Sequence, residues 1–180
     1  SELDPKFELP PEERLMATFY GKVLTRSNWL REGILEMLAL MATLSPDISF
    51  HANQSGADVA NRIVRRLMEQ AQNNPTLWDS LSDNLPLLAE AAPQVLLDAI
   101  EDGLAGENST LISLFQDRSS RSALSSPHTG LLWALERLAL HPDYLSRSAL
   151  SLARLTRLDP GGSLGNRPES SLETIFTWWL

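Results

Sequence analysis

Residues 128–162 constrain this chain more than any other stretch, because they read as two helices folded back on each other across one short turn. Leu131, Leu132, Leu135, Leu138 and Ala139 recur at helical spacing and form one apolar stripe. A second run carries Leu145, Ala149, Leu152 and Ala153, with Arg147 and Arg154 on its other side. Ala149 and Ala153 lie one turn apart, so a neighbouring helix is expected to approach closely there. His141-Pro142-Asp143 makes the hinge: Pro142 disfavours helix at His141 and is itself tolerated in a first turn, where Asp143 places a negative charge.

The rest of the chain reads as variations on this hairpin. After the proline-rich residues 1–10, a helix is expected from Pro11 to about Tyr20. A second, from about Ser27, is apolar nearly all round after Gly33. It is expected to be the most buried element of the N-terminal half. Ser55-Gly-Ala-Asp58 resembles a capping box opening a helix with Val59, Ile63, Leu67 and Ala71 on one face. Asn73-Asn74-Pro75 stops it, and Pro86 and Pro93 then punctuate short helical pieces as far as Leu104. Ser109 or Asn108 can cap a short helix through Leu111, Leu114 and Phe115, and Ser170 or Ser171 a final one with Ile175, Phe176 and Trp179 as its apolar side.

No segment alternates in the manner of a strand, so the expected fold is all-α: antiparallel helix pairs stacked as a short, irregular α-solenoid, or else a single irregular helical bundle. One helical domain over residues 1–180 is expected. Residues 118–127, with five serines, two arginines and one large apolar side chain, are expected to form a mobile loop. The chain starts without Met and closes on Thr177-Trp178-Trp179-Leu180, in mid-pattern, which suggests a piece of a longer protein.

Composition limits the partners. A net charge of −8 works against nonspecific attraction to nucleic acid or anionic lipid. The absence of cysteine removes disulfides and thiolate metal sites, and suits the cytoplasm. The most apolar run, residues 34–44, is interrupted by Glu36 and too short to cross a bilayer, so no membrane partner is expected.

Catalytic chemistry has no foothold in the sequence. His51, His128 and His141 form no spaced ligand pair, and a helix-boundary role outweighs a metal or catalytic one. Gly161-Gly-Ser-Leu-Gly165 precedes a helix but lacks the Lys-Ser/Thr of a phosphate-binding loop, so it reads as a helix stop. No Gly-x-Ser-x-Gly elbow is present. The expectation is therefore a non-enzyme without catalytic residues, cofactor or metal. Binding candidates remain. Arg62, Arg65 and Arg66 form one basic patch, and Arg147, Arg154 and Arg157 another. A stripe joining them would serve nucleic acid, although solvated faces are the commoner explanation. Trp29, Trp78 and Trp133 read as core or inter-helix contacts. Trp178 and Trp179 cannot both face one small core, and are the candidates for contact with a protein partner or a neighbouring domain of the same chain.

His128-Thr-Gly-Leu-Leu-Trp-Ala-Leu-Glu-Arg-Leu-Ala, Leu158-Asp-Pro-Gly-Gly, Asn166-Arg-Pro and Ser171-Leu-Glu-Thr-Ile-Phe together resemble a block of very large bacterial proteins. The block belongs to helical regions outside the nucleotide-binding module of multidomain NTPases of the STAND type, some linked to phage defence. The resemblance covers about residues 128–176 and implies a helical sensor or scaffold segment. It carries over no catalytic residue, because the Walker motifs of such proteins are absent here. The functional expectation is a noncatalytic protein-interaction or target-sensing segment of a larger cytoplasmic bacterial protein, with a nucleic-acid-binding helical domain as the alternative.

Overall fold

Prolines and caps set the helix starts. In the computed structural model, which describes residues 3–44, 54–105, 109–115, 127–161 and 166–179, the helices are α1 (Asn28–Leu44), α2 (Gly56–Ala71), α3 (Pro75–Leu81), α4 (Leu85–Ala91), α5 (Pro93–Gly103), α6 (Pro127–Ala139), α7 (Pro142–Leu158) and α8 (Pro168–Trp179). Proline opens α3, α5, α6, α7 and α8, where its missing N–H would have had no intrahelical acceptor. The capping box at α2 is complete: Ser55 Oγ accepts from Asp58 N–H, and Ser55 N–H donates to the Asp58 carboxylate. Those hydrogen bonds hold the Asp58 carboxyl below its ordinary range. At α7 the His141 ring accepts the Asp143 N–H, as its place before Pro142 suggests. None of the described residues forms a strand, so the fold is all-α.

The helices pack in two layers. In one, α1, α4, α6 and α8 lie each against the next; in the other, α2, α5 and α7 do the same. The pairs α1–α2, α4–α5 and α6–α7 bridge the layers, and α7 also packs on α8. This is a short stack of helix pairs, with α3 and the 3-10 turn Ser82–Asn84 inserted between the first pair and the second. One hydrophobic core runs through it, from Leu35 in α1 to Ile175 in α8.

Two close backbone approaches lock neighbouring elements. A Cβ at Gly56 would run into the Met41 carbonyl of α1, and one at Gly130 into the Ser82 carbonyl. Glycine is required at both places by the room left for it. Gly130 continues the stripe of Leu131, Leu132, Leu135, Leu138 and Ala139, all of them buried.

Several expectations need correction. Residues 11–20 form a 3-10 helix, Pro11–Met16, followed by turns, and among residues 12–20 only Ala17 is buried. A short segment without a packed face cannot repay helix nucleation. The buried stripe of α2 is Gly56, Ala60, Val64, Met68 and Ala71, with Ile63 44% exposed. That stripe is rotated from the expected one because the close approach of α1 at Gly56 sets which side of α2 faces inward. On α7 the buried small residues are Ser148 and Ser151, beside Leu152 and Leu155, while Ala149 and Ala153 are half-buried. α1 is not the most buried element of its half: Leu35, Leu38 and Ala39 are buried and its outer side is bare, whereas α3 is buried from Leu77 to Leu81. α1 stands at an end of the stack and has neighbours on one side. α8 starts at Pro168, ahead of Ser170. His51, residues 118–126 and residues 162–165 lie outside the described residues; Pro127 opens α6.

Candidate interaction surface

α8 runs alongside α6 in the same direction, and both ends of that contact are tied. At the start, His128 Nε2 and the Asn166 carbonyl are 2.8 Å apart, and Asn166 Nδ2 lies 3.4 Å from Thr129 Oγ1. At the end, the Trp179 indole N–H donates to the Ala139 carbonyl at 3.0 Å, occupying an acceptor that the last turn of α6 leaves without a helical partner. The connector is set by Asp159, which accepts the Gly161 N–H and forms an ion pair with Arg167. Gly161 has φ +82°, a left-handed conformation that glycine adopts without strain; α7 itself ends earlier, at Leu158 with extended Asp159 as its cap.

His128 is buried and packs against Phe115, with ring centroids 5.2 Å apart. Burial pushes its pKa below the ordinary value, partly offset by the Asn166 carbonyl and the Asp159 carboxylate. It therefore joins α6 to the connector as a neutral ring, in keeping with a boundary role.

This tied pair of helices presents a bare aromatic edge. Ile175 is buried, but Phe176, Trp178 and Trp179 are 54%, 51% and 44% exposed. Trp133 on α6, and Leu140 just past its end, are also more than half exposed. Trp178 and Trp179 thus sit where expected, outside the core. Trp78 is fully buried as expected, while Trp29 and Trp133 are exposed, against expectation. Trp133 lies on the opposite side of the helical wheel from the centre of the leucine stripe, a signal the sequence already contained.

The arginines do not gather. Arg62, Arg65 and Arg66 lie exposed on α2, and Arg154 exposed on α7. α5 packs against both helices and brings Asp98, Glu101 and Asp102 with it. Arg147 is committed internally. Its guanidinium clamps Glu101 with two hydrogen bonds of 2.9 and 2.7 Å and reaches Asp98 at 2.6 Å. The bonds to Glu101, then those to Asp98, raise the guanidinium above its already high pKa against the opposing effect of burial.

Arg65 and Glu69 on α2, Gln72 just past its end, and Asp98 and Asp102 on α5 line a shallow cleft of about 170 Å³. Ligand pockets usually span roughly 300–1,000 Å³. No histidine lines this cleft. Among the described residues, no three His, Asp or Glu side chains gather closely enough to hold a metal, and no helix is long and apolar enough to cross a membrane.

No protein-family model, no curated protein and no solved structure matches this chain.

Proposed function

We propose that this chain is a noncatalytic, protein-binding segment of a larger cytoplasmic bacterial protein, serving as scaffold or target sensor, with the aromatic edge of α6 and α8 as its docking face. One observation carries the reading: Phe176, Trp178 and Trp179 are about half exposed on α8, which is tied to α6, and Trp133 on α6 and Leu140 just past its end are exposed as well. Aromatic side chains on a rigid support have little conformational entropy left to lose and a large apolar area to bury, the properties of interface hot spots. The bacterial and multidomain parts of the proposal rest on the resemblance carried by residues 128–176. A nucleic-acid reading gains no support from the arginines, because the acidic residues of α5 separate those of α2 from those of α7.

The absence of cysteine permits a clean test. A thiol introduced by Phe176→Cys should react quickly with a maleimide in the isolated chain and several-fold more slowly in the full-length parent protein. Trp178→Ser should leave the circular dichroism and melting temperature unchanged while abolishing the parent's activity. Equal labelling rates in the two settings, together with a fully active Trp178→Ser parent, would sink the reading. Binding of labelled duplex DNA or RNA at physiological salt, lost on reversing Arg62, Arg65 and Arg66 to Glu, would replace it with the nucleic-acid alternative.

A further inference from the structure

The outer side of α1 lies at the other end of the stack and follows a different pattern. Leu30, Gly33, Met37, Leu40 and Leu44 alternate at spacings of three and four residues, the a/d seam of a coiled coil. The side chains of α1 that face the core, Leu35, Leu38 and Ala39, fall between these positions. The four large seam residues are 49% to 72% exposed, and flanking Trp29 and Ile34 are 86% and 46% exposed. α1 therefore has two apolar faces and uses one.

Gly33 shows what is missing. Elsewhere, Gly56 and Gly130 mark sites where another backbone passes too close for a Cβ. Gly33 lies mid-helix, where glycine is less favourable than alanine, yet none of the described residues approaches its Cβ position within 4 Å. None of the described residues calls for glycine there; a helix crossing the seam would.

We propose that α1 pairs with α1 of a second copy of this chain, the two seams meeting and the backbones crossing at Gly33. Area favours a partner this size. The exposed apolar side chains of α1 offer on the order of 600–700 Å², at the low end of the roughly 600–1,000 Å² per partner that specific pairs bury. Charge favours a like partner. Residues 26–44 carry Arg26, Arg31, Glu32 and Glu36, which cancel, in a chain of net charge −8. Two copies meeting here avoid the repulsion they would meet elsewhere. Glu36 is the one charged residue beside the seam and Thr43 the other polar one, so the flanks carry no alternating charge pattern that would demand a complementary, unlike helix. A twofold pairing is closed, as most homo-oligomers are.

The test uses the whole chain at increasing concentration. Sedimentation equilibrium should show a dimer at tens of micromolar. Leu40→Cys should cross-link under mild oxidation, while Gln70→Cys on the exposed side of α2 should not. Leu40→Glu should give a monomer with unchanged helicity and melting temperature, since Leu40 is 55% exposed. Gly33→Ala separates this proposal from a local role for the glycine. It should raise the melting temperature of dilute monomer yet weaken the dimer about tenfold or more. A chain monomeric to about 100 µM, as expected if α1 takes an unlike helix, overturns the proposal. So does a dimer that survives Leu40→Glu, or a Gly33→Ala variant that dimerises as well as the parent. None of these outcomes bears on the aromatic edge of α6 and α8.

Discussion

Gly130 and His128 sit two residues apart at the start of α6 and constrain it in different ways. At Gly130 the obstacle to a side chain is a backbone carbonyl, that of Ser82, which cannot swing aside as a flexible side chain would. Gly130→Ala is expected to cost at least about 1–3 kcal/mol in chemical denaturation, although alanine is the better helix former. An unchanged midpoint would mean that Ser82–Asn84 and α6 do not meet there. His128 gives stability a pH dependence. Its folded pKa lies below the 6.5 of an unburied ring, first because of burial. As pH falls, the unfolded chain takes up this proton before the folded one does. Stability present above about pH 6.5 is therefore lost as pH drops through the depressed folded value. The melting temperature should fall between pH 7 and pH 5, and His128→Asn should remove that part of the fall. Equal pH slopes for the two proteins would place the proton elsewhere.

At the scale of helices, the sequence was most legible where large side chains face the core. The leucines of α6 define its buried stripe, and Leu135 is fully buried, so Leu135→Ala should destabilise by about 2–5 kcal/mol, read from the denaturation midpoint. Legibility failed where small residues set the packing. Hydrophobic periodicity gives most weight to Ile63 and Leu67, but α2 turns Gly56, Ala60 and Val64 inward because α1 lies so close. On α7, periodicity favoured Ala149 and Ala153, whereas the structure buries Ser148 and Ser151, whose hydroxyls have no hydrogen-bond partner among the described residues. Ser151→Ala should thus be neutral or stabilising by up to about 1 kcal/mol, and Ser151→Leu should cost about 1–3 kcal/mol. Loss of stability in Ser151→Ala would show that the hydroxyl is bonded in solution. α1 shows a third kind of limit. Its apolar character all round was plain in the sequence, but periodicity counts faces that could be covered, not neighbours that exist. The pair Trp178-Trp179 escaped this difficulty because no single helix can turn both toward the same core.

The whole molecule is a stack in which each helix meets its neighbours along a layer and its partner across it. In such an arrangement stability is roughly a sum of unit and interface contributions, and end units have one interface fewer. α4 and α6 lie inside the stack: α4 packs on α1, α5 and α6, and Leu85, Leu88, Leu131 and Leu135 are all buried. α8 is an end helix, with Ile175 fully buried and three exposed aromatic neighbours. Native-state hydrogen exchange should therefore open in steps. Amides of α8 are expected to exchange through a low-energy local opening, while those of α4 and α6 wait for global unfolding. Two truncations sharpen the expectation, each costing about 2–5 kcal/mol at its own site. Ile175→Ala should lower protection in α8 and leave α4 and α6 nearly untouched, because the stack persists when its end frays. Leu88→Ala should lower protection everywhere, because α4 connects α1 to α6. If Ile175→Ala reduced protection equally in all helices, the molecule would unfold as one unit, and the additive stack would have to be abandoned for a single cooperative bundle with the same contacts.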